Sequence, residues 1–232
     1  MNNKIYKATV IGAGPSGIAI MGQLLSRKVF PILWIDPSFE GGKMAFYRKV
    51  PANTKGKFFV NFMKECPAYN EFLEDKGNQM NPMEIFRNSD LNIPPSLSKA
   101  YDMCNSLTKN IENKYKSDVI LHKDSVKKLL HSDDKWHIST NAGMKYDTEK
   151  VILAIGSKPR KLEGLNKTQI PLEVLVNDDP EKLANYVKKD DIIGVKGSSV
   201  SSILSLKHLK NLQNPPKKLI VFIRKKFVTQ FI

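Results

Sequence analysis

Three glycines and one carboxylate carry the clearest chemistry in this 232-residue chain. Gly12, Gly14 and Gly17 are spaced G-x-G-x-x-G with Pro15 and Ser16 inside the pattern, and Asp36 ends the next apolar run. The first glycine permits a tight turn, the second lets backbone approach a diphosphate, and the third lets a helix pack closely on a strand. Free N–H groups at a helix start, where the dipole is positive, suit phosphate. Pro15 fits the first helical turn, which has no use for the N–H that proline lacks. A carboxylate at position 36 accepts from a ribose hydroxyl and repels a 2′-phosphate, so this site is expected to take FAD or NAD rather than NADP.

Glycine spacing alone is weak, because glycine turns arise by chance; the flanking elements decide. Ala8 to Ile11 reads as a buried strand, and Ile18, Ile20, Met21, Leu24 and Leu25 mark an amphipathic helix running to about Ser26. Phe30 to Ile35 reads as a second strand ending on Asp36. Residues 63 to 95 read as an insertion with short helices at Glu71 to Glu74 and Pro82 to Arg87. A long helix from about Ser96 to Lys116 keeps Leu97, Tyr101, Cys104, Leu107, Ile111 and Tyr115 on one face. Val119 to Leu121 is a strand, Trp136 to Thr140 alternates, and Val151 to Ser157 is a buried strand ending in Gly156.

Composition narrows the class. A 41% hydrophobic content with mixed charge argues against disorder. No apolar run approaches the ~20 residues that span a bilayer, and Met1 to Lys7 leads straight into the first strand, so a cytoplasmic enzyme is expected. The two cysteines, Cys66 and Cys104, form no C-x-x-C pair, which argues against a disulfide framework, a zinc site and a dithiol relay. His122 and His131 stand alone, expected as satisfied or exposed side chains. A net charge of +14 would suit an RNA- or membrane-facing surface. The lysines read as spread along the chain without interleaved aromatics, so neither a membrane nor a nucleic-acid partner is expected.

Gly12 to Gly17, Asp36 and Gly41-Gly42-Lys43-Met44 together resemble the FAD-binding half of the two-dinucleotide-domain flavoproteins, the thioredoxin-reductase-like and flavin-containing-monooxygenase-like enzymes. In that group a Gly-Gly-x-Met stretch lies along the flavin and an Asn-Thr pair follows, matched here by Asn53-Thr54. The resemblance implies FAD contacts at Gly12, Gly14, Pro15, Ser16, Gly17, Asp36, Pro37, Gly42, Lys43, Met44 and Asn53. It adds the backbone of Val126 at the adenine, and Ala154 and Gly156 where the site closes. Asn53, which can both donate and accept, is the candidate catalytic residue.

Residues 158 to 189 would be a crossover, with a helix from Pro180 to Lys188. A second strand–turn–helix–strand follows, with strands at Asp191 to Lys196 and Leu219 to Ile223. Its turn fits two registers, starting at Gly194 or at Gly197. The second is preferred, because it places Ile203, Leu206 and Leu209 on the packing face of the helix. Gly197, Ser198 and Ser199 would then hold a nicotinamide nucleotide, and Arg224 would accommodate a 2′-phosphate and favour NADPH over NADH.

The expected fold is α/β: a Rossmann-like FAD domain over 1–157, with a helical insertion at about 63–116 and a small antiparallel meander. A crossover and incomplete NAD(P)H-binding domain would occupy 158–232. The chain stops before the remainder that such flavoproteins carry, so a shortened chain, a homo-oligomer or a partner chain completing the fold is expected. The leading function is hydride transfer from NAD(P)H to FAD and on to oxygen or another acceptor, with the small-molecule substrate or acceptor open. A non-catalytic FAD-binding subunit is the alternative, and a flavoprotein acting on RNA a further one.

Overall fold

The computed structural model describes residues 4–74, 80–159, 161–177 and 179–223. Its contacts divide the chain into two compact units, Met1–Ser157 and Lys158–Ile232.

In the first unit, β1 (Ile5–Tyr6) and β2 (Ala8–Ile11) lead through the glycine turn into α1 (Pro15–Ser26) and then β3 (Ile32–Ile35). A helical segment follows, with α2 (Gly56–Lys64), α3 (Asn70–Glu74) and α4 (Leu97–Lys114). The chain then runs through β4 (Val119–His122), β5 (Val126–Ser132), β6 (Lys135–Thr140), β7 (Lys145–Thr148) and β8 (Val151–Leu153). The helical segment starts earlier than position 63, because Val60 and Met63 of α2 are buried in the core. The second strand starts at Ile32 rather than Phe30.

A parallel sheet of order β4-β3-β2-β8 forms the middle of this unit. Side chains alternate across it with period two. Ile32 and Trp34 join a core with Ile18, Met21, Cys104 and Leu107 on the helical side. Leu33 and Ile35 join Tyr6 and Ile138 on the other. That side is covered by a second sheet of order β1-β7-β6-β5, an antiparallel meander to which β1 adds in parallel. Coverage on both faces explains why β2 and β3 are apolar throughout apart from the buried Thr9. The buried strand expected over Val151 to Ser157 is shorter and more exposed: β8 ends at Leu153, at the edge of its sheet, with Leu153 58% and Ile155 68% exposed.

Tyr69 packs over α1 where Gly22 leaves room: a Cβ there would lie 2.5 Å from the Cys66 sulfur and 2.7 Å from the Tyr69 ring. The Tyr69 hydroxyl donates to the Ile18 carbonyl, and burial raises its pKa well above the ordinary value. Burial likewise pushes the Cys104 thiol up to about 12, which leaves it inert as a nucleophile.

The second unit has α5 (Leu172–Val176), α6 (Pro180–Ala184), β9 (Ile192–Lys196), α7 (Val200–Lys210) and β10 (Lys218–Phe222), with β9 and β10 paired in parallel. The helix expected to reach Lys188 ends at Ala184. The core gathers Leu183, Val187, Val195, Leu209 and Leu212, with Leu206 against it. Ile203 does not pack as expected: it is 53% exposed, and Ser202, Ser205 and Leu209 form the buried face of α7. Ile192 and Phe222 are also exposed, since the sheet has two strands among the described residues.

Two measurements follow. Amides of β9 and β10 are expected to exchange hydrogen much faster than those of β2 and β3, since fewer buried apolar contacts hold them; equal protection would overturn this. On the meander, Lys135 Nζ donates to one oxygen of Asp147 at 3.0 Å and His137 Nδ1 to the other at 2.7 Å. These bonds, that of Lys135 foremost, hold the Asp147 carboxyl below its ordinary pKa. A carboxylate lowered on folding adds stability above its unfolded pKa of about 4, and that stability is lost as pH falls through the folded value. Asp147→Asn should therefore flatten the acid limb of thermal midpoint against pH below about pH 4. An unaltered acid limb would remove Asp147 as a source.

Candidate dinucleotide-binding site

The turn after β2 is held from three sides. Gly12 has φ +110°, and a Cβ on it would lie 2.3 Å from the Ala154 carbonyl oxygen. A Cβ on Gly17 would lie 2.0 Å from the Gly12 oxygen. The first and third glycines are thus required by packing. Gly12 N donates to Ile35 O at 2.8 Å, Ala154 N to Ile11 O at 2.8 Å, and the Trp34 indole N–H to Gly12 O at 2.9 Å.

Gly14 is different. It is the N-cap of α1 in extended conformation, with Pro15 in the first turn. A Cβ there would meet only Gly42 Cα, at 3.9 Å. The amides of Gly14, Ser16 and Gly17 have no acceptor among the described residues. Three N–H groups without an acceptor at the start of a twelve-residue helix suit an anion such as a diphosphate.

Asp36 does more than wait for a ribose. Its Oδ2 accepts from Ala13 N at 2.8 Å, and its Oδ1 accepts from Ser38 N at 2.9 Å and Phe39 N at 2.8 Å. The carboxylate therefore ties the glycine turn to the loop after β3. The Ser38 hydroxyl also donates to Oδ1, at 3.4 Å, so Oδ1 is filled; Oδ2, which accepts from Ala13 N, keeps its second acceptor position for a further hydroxyl. Gly41 and Gly42, at φ +66° and +62°, bring the chain over Gly14, with a Cβ on Gly42 reaching 3.0 Å from Gly14 Cα. Lys43 and Met44 follow in a 3-10 turn.

The structure thus brings Gly12, Gly14, Pro15, Ser16, Gly17, Asp36, Gly42 and Ala154 to one end of the parallel sheet. Pro37 lies exposed beside Asp36, and Gly156, at φ +63°, lies in open space. Val126 is half-buried at the start of β5, packed on the cluster of Tyr6, Leu33, Ile35 and Ile138. Asn53 is exposed, its Oδ1 accepting from the Thr54 hydroxyl at 3.2 Å, and no hydrogen bond among the described residues joins it to the turn.

Two contributors were not read from the sequence. Trp34 lies within the apolar run of β3, yet its indole satisfies the Gly12 carbonyl. His122 ends β4, where its carbonyl accepts from Asp36 N at 3.2 Å. Its Nδ1 bonds the Tyr146 hydroxyl at 3.1 Å, while Nε2 is buried without a hydrogen bond, 3.7 Å from Asp124. It is therefore only half satisfied. His131 packs against Trp136 with ring centroids 5.0 Å apart and the planes tilted by 59°.

In the second unit the turn adopts the register that starts at Gly197. Gly197 has φ +120°, and its N–H donates to Phe222 O at 2.9 Å on the neighbouring parallel strand, as Gly12 does to Ile35. Ser199 is the extended N-cap of α7, matching Gly14. Gly194 lies inside β9 under the Phe222 ring. Arg224 is outside the described residues.

The two glycines separate by substitution. Gly17→Ala is expected to cost roughly 1–3 kcal/mol of folding stability through overpacking, whereas Gly14→Ala should leave the thermal midpoint nearly unchanged. Chemical denaturation reads both, and equal losses would contradict the geometry.

Relatives place this arrangement. A monooxygenase, AgnR1, of Paecilomyces divaricatus is 29% identical over 221 residues, covering 88% of this chain and 55% of the relative, so the chain spans about half that protein's length. The bacillithiol disulfide reductase Bdr of Staphylococcus aureus superposes with TM-score 0.62 at 15% identity, over 99% of this chain and 60% of that one. A flavin monooxygenase of Stenotrophomonas maltophilia gives 0.59 at 15% identity, over 99% and 61%. The family model described as FAD-NAD(P)-binding matches residues 9–158, a span that contains the glycine turn, Asp36, Gly42 and Ala154. With that match over more than half its length, the chain belongs to the FAD-NAD(P)-binding family.

Proposed function

We propose that the first unit binds FAD and that the protein is an FAD-dependent oxidoreductase of the monooxygenase type, reduced by NAD(P)H. One observation carries the reading: the amides of Gly14, Ser16 and Gly17 have no acceptor among the described residues, and a Cβ on Gly14 would have only Gly42 Cα, at 3.9 Å, within reach. Those amides would take the pyrophosphate of FAD. The remaining acceptor position of Asp36 would take a ribose hydroxyl, and its charge disfavours a 2′-phosphate at this site. Bound FAD would supply the redox chemistry, accepting hydride from NAD(P)H and passing electrons to oxygen or another acceptor. The chain's own part is to bind and orient. Gly41 and Gly42 lay backbone close to the cradle, Lys43 and Met44 continue along it, and Val126, Ala154 and Gly156 would border the remaining cofactor. Asn53 would meet the reacting end from the following loop.

Gly197, Ser198 and Ser199 would hold the nicotinamide nucleotide. A serine at 199 puts a hydroxyl where Gly14 leaves space, so a phosphate there would be met by a side-chain donor as well as by amides. NADPH is favoured over NADH if Arg224 reaches the 2′-phosphate.

A second reading has a specific observation behind it. The second unit keeps serines at two of three glycine positions and exposes Ile192, Ile203 and Phe222, which favours a flavin-binding protein that nicotinamide nucleotides do not reduce. A purified chain with visible flavin absorbance that bleaches on anaerobic NADPH supports the enzyme. Flavin that neither nucleotide bleaches supports the binding protein, and absence of flavin affinity sinks both. Gly14→Ala, folded normally, should lose flavin affinity at least tenfold; unchanged affinity would place the cofactor elsewhere.

A further inference from the structure

The Gly12–Ala13 peptide is held at both of its polar ends by side chains from one stretch of chain. The Trp34 indole N–H donates to the Gly12 carbonyl at 2.9 Å, and the Ala13 N–H donates to Asp36 Oδ2 at 2.8 Å. The C=O and N–H of a trans peptide point in opposite directions, so the two side chains grip it from opposite sides. Trp34 lies in β3 and Asp36 directly follows that strand, two residues on, so both side chains leave the same face. These groups are buried: Trp34 and Ala13 are fully enclosed, and Asp36 is 7% exposed.

Core packing alone does not call for an indole at position 34. Leu33 and Ile35 fill the opposite face with aliphatic side chains, and one of that kind at 34 would leave the Gly12 carbonyl without its donor. Phe39 closes the arrangement. Its ring meets the Trp34 ring edge-on at 5.2 Å, while its N–H donates to Asp36 Oδ1 at 2.8 Å. It does so at φ +58°, a left-handed conformation that non-glycine residues rarely adopt. Such strain persists where the surroundings over-determine it, and it gathers at ligand sites.

A series of donors and acceptors therefore runs from the indole, through one peptide, to a carboxylate oxygen that keeps an acceptor position open. Hydrogen bonds in such a series polarise one another. The donor at one end also fixes the plane of the peptide, and with it the direction from which Ala13 N–H meets Oδ2. Oδ1 is filled by Ser38 and Phe39, so a ribose hydroxyl on Asp36 has Oδ2 to use, on the side away from Ala13. On the reading that the first unit binds FAD, we propose that Trp34 is a positioning residue for the adenosine ribose. Fully buried, it acts through the Gly12–Ala13 peptide, which orients Asp36 Oδ2 toward the ribose hydroxyl.

Calorimetric titration of the full chain with FAD, ADP and 2′,3′-dideoxyadenosine diphosphate tests this. The wild-type chain should prefer ADP over its dideoxy analogue by about tenfold, the effect of a hydrogen bond to a charged group. Benzothienylalanine introduced at position 34 alone keeps the bicyclic shape and puts sulfur in place of the N–H. It should lower FAD affinity about fivefold or more and cut the preference for ADP to about threefold or less. Trp34→Phe, which removes the same N–H, should act in the same direction, with circular dichroism checking that each variant is folded. A side chain that merely fills the core would weaken ADP and its analogue equally. FAD binding with an unchanged preference for ADP in the benzothienylalanine chain therefore overturns the role of Trp34 alone, as does a wild-type chain that binds ADP and the analogue alike. A wild-type chain without affinity for FAD or ADP refutes the flavin reading, and this role with it.

Discussion

The first unit depends on how closely the Gly12 peptide is approached. Its carbonyl meets the Trp34 indole on one side and the backbone of Gly17 on another, and its Cα faces the Ala154 carbonyl. Left unpaired, a buried carbonyl of this kind would cost about 1–3 kcal/mol. Trp34 therefore has a polar duty inside an apolar strand. Because β2, α1 and β8 all touch this one peptide, the helix start is held at the carboxyl ends of the parallel strands, where open α/β sheets bind ligands.

Asp36 extends the same constraint. By accepting from Ala13 on one oxygen and from Ser38 and Phe39 on the other, it joins the turn to the loop that carries Gly41 and Gly42. Preorganisation of this kind lowers the ordering cost that a flexible ligand site would otherwise incur. His122 adds a neighbouring strand to the frame through its carbonyl, and links it to the meander through Tyr146.

The second unit repeats the backbone of the turn without repeating its packing. Gly197 and Ser199 match Gly12 and Gly14 in conformation, and the hydrogen bond to the next parallel strand recurs. At the third position Ser202 carries a side chain where Gly17 has none, so α7 cannot approach its turn as α1 does. Among the described residues its sheet has two strands in place of four, and apolar groups such as Ile192 and Phe222 are exposed. The same local motif thus sits in a deep core in one unit and in a shallow one in the other.

The buried β2 and β3, the α1 and α4 faces, the glycine turn and the acid after it were legible, because they follow from periodicity and from glycine's missing Cβ. So was the register at Gly197, although one reason offered for it, a packed Ile203, does not hold. What could not be read were contacts between segments distant in sequence: Trp34 capping Gly12, His122 holding Asp36 and Gly42 lying over Gly14. By itself the sequence determined that a dinucleotide turn would form after β2, since local steric rules and apolar spacing act over a few residues. Only the tertiary structure decided which groups complete that turn and which side chains share a surface, because those depend on where the layers meet.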